Sequence, residues 1–103
     1  MLSDGEVVIH EEGASHFHNY IAIGGSLQLT NKRLLFTSNS KRQPLHTVLV
    51  NLNEIATVEL FKTLLINPNG MTLLLRNGDI QNFIVDDRKQ WQDRIQSCLT
   101  EFA

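Results

Sequence analysis

Histidines and glutamates cluster near the start of the chain, at His10, Glu11, Glu12, His16 and His18. Residues two apart on a strand share a face, so His16 and His18 have the spacing of a zinc-ligating pair. No third ligand is assured in register with them. The expectation is therefore surface histidines on an edge strand, with no metal and no cofactor. Cys98 is the single thiol. It falls at the edge of an apolar helical stripe with no His or glycine-rich elbow beside it, so it reads as a small core residue rather than a nucleophile. Gly24-Gly25 leads into a strand and not into a helix, which removes the phosphate-cradling geometry of nucleotide loops. With no nucleophile, base and acid in one constellation, the chain is not expected to be an enzyme.

Binding chemistry remains. Two pairs of basic residues, Lys32-Arg33 and Lys41-Arg42, fall in polar turns. Such charges attract anionic headgroups at about 1 kcal/mol each near a membrane surface, and they are equally the ordinary solubilising charges of turns. These four are the candidate lipid-binding residues. Leu64-Leu65-Ile66 occupies a place where a polar turn is expected. Three consecutive apolar side chains on a strand cannot all point inward. Leu35 and Leu74 fall on the face opposite their inward neighbours. Leu35, Leu64, Leu65, Ile66 and Leu74 are thus a candidate protein-interaction patch, and a homodimer becomes attractive if Leu35 and Leu74 are neighbours across a sheet. Nucleic acid is not an expected partner, because the net charge is -2 and aromatic residues do not interleave with basic ones.

The elements that must position these residues are mostly strands. Leu27 and Leu29 alternate with polar residues, as do Leu34 and Phe36, on either side of Thr30 to Lys32; this predicts a hairpin. The Gly24-Gly25 pair ahead of it allows a bend or bulge. Glu6 to His10 reads as a first strand and Glu11 to Ser15 as a turn, with a second strand from His16 into the hairpin. Further strands are expected over Leu45–Val50, Ala56–Lys62, Met71–Arg76 and Ile80–Val85. Asn51 to Glu54 suggests one helical turn, Asn67-Pro68-Asn69-Gly70 a tight turn, and Asn77-Gly78 a two-residue type I′ hairpin turn. Asp86 or Asp87 is expected to cap a closing helix whose apolar stripe is Trp91, Ile95, Leu99 and Phe102.

With 103 residues, 42% apolar and 19% charged, the chain reads as one soluble domain over 1–103, strands over about 6–85 and a helix over about 86–102. A lone cysteine points to a reducing compartment, and no signal peptide or membrane span of roughly 20 apolar residues is evident. A cytoplasmic protein is expected, complete or an excised module, and peripheral to a membrane if it binds lipid.

The stretch Gly25-Ser26-Leu27-Gln28-Leu29-Thr30-Asn31-Lys32-Arg33-Leu34-Leu35-Phe36 resembles the core hairpin of the GRAM domain, a member of the pleckstrin-homology-like superfold. Leu52-Asn53-Glu54-Ile55, Asn77-Gly78 before Phe83, and Trp91 are similar and follow in family order. The resemblance implies a mainly β fold, a seven-stranded antiparallel barrel or sandwich capped by one C-terminal α-helix. It also implies a non-enzymatic module for anionic membrane lipids or, alternatively, for protein partners. In many lipid-binding members of the superfold the first loop carries basic residues. Here the expected first loop, His10 to His16, holds two acids and no Lys or Arg.

Overall fold

The computed structural model describes residues 4–18, 21–39, 46–63 and 67–102. The strands are β1 (Val8–His18), β2 (Ile21–Thr30), β3 (Arg33–Ser38), β4 (Thr47–Asn51), β5 (Ile55–Thr63), β6 (Asn67–Leu75) and β7 (Ile80–Val85). A 3-10 turn (Leu52–Glu54) joins β4 to β5, and the helix α1 (Arg88–Phe102) follows β7. The strands form one antiparallel sheet in the order β4-β3-β2-β1-β7-β6-β5. β3 and β7 are three strand steps apart, about 14 Å on a flat sheet. Yet the Phe36 and Phe83 rings, one on each, lie 5.9 Å apart. The sheet therefore folds over on itself, a sandwich with β4 and β5 as open edges and α1 laid against β5, β6 and β7.

The hairpin Leu27 to Phe36 forms in the expected register, with Leu27 opposite Phe36 and Leu29 opposite Leu34. All four are fully buried, together with Val50, Leu52, Ile55, Met71, Leu73, Phe83 and Val85. Gly24 and Gly25 do not make a bulge: both ladders run through this part of β2 without a shift. Gly25 is required by close approach instead. A Cβ there would lie 2.2 Å from the Thr37 carbonyl oxygen and 2.8 Å from Ser38 Cα.

Residues Glu11 to Ser15 are not a turn. They lie in the middle of β1, paired with β2 from His10 opposite Leu29 through to His18 opposite Ile21. The chain reverses between His18 and Ile21. The inward positions of β1 are His10, Glu12, Ala14 and His16, polar or small, so strand alternation was invisible in residue type alone. Asn67 to Gly70 likewise belong to a strand. Gly70 pairs with Phe61 and Asn67 with Thr63, across a register shift in which Pro68 can lack an amide donor. The Asn77-Gly78 hairpin forms with a longer loop than expected: Leu75 N–H donates to Asp79 O and Gly78 N–H to Leu75 O. Gly78 takes the left-handed conformation, φ 96°, that ends such a three-residue loop.

Asp87 caps α1, its Oδ1 accepting from Gln90 N–H at 3.1 Å. Trp91, Ile95 and Cys98 are buried from the helix and Leu99 packs beside them. Gln92 Nε2 donates to the Val58 carbonyl, tying the helix to edge strand β5.

Candidate functional site

One end of the sandwich gathers the β1–β2 reversal, the end of β3, the start of β4 and the start of β7. His16 points inward there, opposite Ile23 on β2 and Phe83 on β7. It is 3% exposed. Its Nε2 lies 2.8 Å from Gln81 Oε1, and its Nδ1 lies 2.8 Å from His46 Nε2. A carboxamide oxygen only accepts, so His16 carries its proton on Nε2, and its Nδ1 accepts from His46 Nε2–H. The result is a directed chain, His46 to His16 to Gln81. Phe36 and Phe83 flank His16, with ring centroids 5.8 and 5.2 Å away. His46 is half-buried and held by its backbone: Ser38 N–H donates to His46 O, and His46 N–H donates to Ser38 Oγ. At this mouth Ile21 and Ile80 are 62% and 55% exposed, large apolar side chains at the rim.

The opposite end is built on a carboxylate. Glu6, ahead of β1, is buried against the β2–β3 turn. Arg33 grips it with two bonds, Nε to Oε2 at 2.9 Å and Nη2 to Oε1 at 3.2 Å. Thr30 Oγ1 donates to Glu6 Oε2 at 2.6 Å and accepts from the amides of Lys32 and Arg33. Asn31 completes the attachment, its Oδ1 accepting from Val7 N–H and its Nδ2 donating to Gly5 O. Lys32 Nζ donates to Asp4 O. The segment Asp4 to Val7 is thereby strapped to the hairpin. A surface depression of about 460 Å³, lined by Asn31, Lys32, Asn51 and Asn53, opens beside it.

The basic residues singled out by sequence therefore sit differently from one another. Lys32 and Arg33 are at the strapped end, where Arg33 is ion-paired to Glu6. Lys41 and Arg42 lie outside the described residues, in the connection that leaves β3 after Ser38 and rejoins the sheet at His46. Leu64, Leu65 and Ile66 also lie outside them. Leu35 and Leu74 are not neighbours: β2, β1 and β7 separate their strands. Leu35 instead lies beside Gln28 and Leu49, and Leu74 beside Thr57 and Ile80. Juxtaposition of Leu35 and Leu74 thus gives no ground for a homodimer.

The histidines also stand otherwise than expected. β1 is the central strand, and His16 is in the core rather than on a surface edge. His10 pairs with Glu12 and packs its ring edge-on against Trp91, centroids 4.6 Å apart. Among the described residues no three His, Cys, Asp or Glu side chains are gathered so as to hold a metal ion. Gln81 and His46 are the residues sequence reasoning missed. His46 stands 30 positions from His16 and Gln81 stands 65, and no local pattern joins them.

No protein-family model and no curated protein sequence matches this chain. Solved structures do match in shape. The C-terminal domain of an unknown protein from Leishmania infantum superposes with a TM-score of 0.80 at 16% identity, over 93% of this chain and 86% of that one. The Vps36 N-terminal PH domain gives 0.78 at 16% identity, over 99% and 85%. The Slm1-PH domain, in complex with phosphoserine, gives 0.70 at 16% identity, over 90% and 96%. The fold is pleckstrin-homology-like. The narrower likeness to GRAM domains rests on the sequence motifs, the hairpin and the three shorter features that follow it.

Proposed function

We propose that this domain is a non-enzymatic binding module that docks on anionic membrane lipid through the mouth at His16, Ile21, His46 and Ile80. The observation that carries this reading is the exposed pair Ile21 and Ile80 at the rim. Apolar side chains enter the headgroup region while nearby cations meet the phosphates. Lys41 and Arg42 lie outside the described residues and are proposed as those cations on their place in the sequence, between Asn39 and His46. Lys32 and Arg33 belong to the far end and serve the strap. Likeness to a domain solved with phosphoserine agrees with a phosphate-bearing ligand.

The test is co-sedimentation with vesicles, neutral against anionic, at low and moderate salt. Binding should be confined to anionic vesicles and fall with salt. Lys41→Glu with Arg42→Glu should weaken it about thirtyfold or more, at roughly 1 kcal/mol per charge removed. Lys32→Glu should leave it nearly unchanged. Binding indifferent to the Lys41 and Arg42 reversal overturns the assignment.

A second reading, protein association with no lipid, has one observation in its favour. Leu49 on edge strand β4 is 49% exposed and lies beside Leu35. Leu49→Asp that leaves every partner interaction intact would remove it.

A further inference from the structure

We infer that the domain self-associates through strand β4, which pairs antiparallel with the β4 of a second copy about a two-fold axis at Leu49. This rests on the association reading above and names its partner.

The backbone of β4 is open on one side. The strand is an edge of the sheet and has β3 as its neighbour. In an antiparallel ladder, facing residues alternate between pairs that exchange hydrogen bonds and pairs that do not. Two bonds fix the phase here: Ser38 N–H donates to His46 O, and Leu52 N–H donates to Lys32 O. Val48 and Val50 fall on the same phase and turn their amides and carbonyls to β3. Thr47, Leu49 and Asn51 turn theirs away from it. Glu54 Oε1 takes the Asn51 amide at 2.9 Å. The amides of Thr47 and Leu49, with the carbonyls of Thr47, Leu49 and Asn51, form an outward row with no strand of the described residues beside it.

The side chains suit pairing. Val50 is buried, whereas Leu49 is on the outer face beside Leu35. Edge strands are ordinarily guarded against pairing by charge, by proline or by a covering element. β5, the other edge, has Glu59 and Lys62 and is tied to α1 by Gln92. Thr47-Val48-Leu49-Val50-Asn51 holds no charge and no proline.

The order of these residues selects a second copy as the occupant. In either direction the strand reads polar, valine, leucine, valine, polar. Antiparallel pairing centred on Leu49 sets each Val48 opposite the other copy's Val50 and each Thr47 opposite an Asn51. Leu49 meets itself. Valine faces valine on the inner side, leucine faces leucine on the outer side, and no like charges oppose. Each Leu49 N–H donates to the other Leu49 carbonyl, and each Thr47 N–H to an Asn51 carbonyl. The Asn51 amide, already held by Glu54, takes no part. A two-fold contact uses the same patch on both copies and closes, so the product is a dimer and not a fibre.

The test is analytical ultracentrifugation from micromolar to millimolar protein, with a reversible monomer–dimer equilibrium as the expected result. Leu49→Lys sets two ammonium groups against each other at the axis. It should raise the dimer dissociation constant about tenfold or more, and its outward position leaves the fold intact. Cysteine cross-linking places the axis. The two Leu49 Cα atoms of a bonded pair stand about 5.5 Å apart, within disulfide reach, so Leu49→Cys under mild oxidation should give a covalent dimer. Leu35→Cys, one strand further in, stands about 14 Å from its counterpart and should not. Cys98 is buried and stays out of the reaction. A chain that is monomeric at every concentration overturns the inference, as does a Leu35→Cys cross-link as ready as that of Leu49→Cys. A dimer indifferent to Leu49→Lys overturns it too. If the chain stays monomeric while Leu49→Asp abolishes binding to another protein, the association reading stands and self-pairing fails.

Discussion

The two ends of this sandwich bury polar groups in opposite ways. At the strapped end a full charge is buried, and it is met by an opposite charge, a hydroxyl and a rigid turn: Glu6, Arg33 and Thr30. At the mouth a buried imidazole is met by a second imidazole and a carboxamide instead: His16, His46 and Gln81. The first arrangement has a single satisfied state, because removing any member leaves a carboxylate or backbone amides stranded.

That contrast can be broken by mutation, and the strapped end should show the larger effects. Arg33→Ala leaves the Glu6 carboxylate buried without its counter-ion and should cost about 3 kcal/mol in urea denaturation. Replacing both residues with Met should recover much of it, since burial of the unpaired charge is the main penalty. Thr30→Val removes a donor to Glu6 and the acceptor of two amides, and should cost about 2 kcal/mol. Gln81→Leu, at the mouth, strips His16 Nε2–H of its acceptor and should cost about 1 kcal/mol, because the ring can change tautomer. His46→Gln keeps the donor and should stay within about 0.5 kcal/mol of the parent at neutral pH. If the mouth variants cost more than the strap variants, the contrast between a buried charge at one end and an imidazole–carboxamide contact at the other does not set the penalty.

The elements legible from sequence are those whose inward residues are apolar. The hairpin from Leu27 to Phe36, the strand Ile80–Val85 and the Asp87-capped helix with its Trp91 stripe all announce their faces by residue type. β1 does not. Its inward row of His10, Glu12, Ala14 and His16 is acceptable only because partners arrive from elsewhere: Trp91 against His10, Gly25 opposite Ala14, His46 and Gln81 on His16. Read alone, that row looks like a turn and a surface strand. The Arg33–Glu6 ion pair was hidden for the same reason, since nothing near Arg33 in sequence reveals that Glu6 lies against it.

By itself, then, the sequence determined the fold class, the core hairpin and the closing helix, because period and capping are local properties of the chain. Tertiary structure alone decided which polar residues are buried and with whom. Glu6 meets Arg33 across 27 positions and His16 meets Gln81 across 65. A buried polar group is stable only with a partner in place, and in this chain those partners come from distant strands, so these contacts are set by sheet register and not by any local motif.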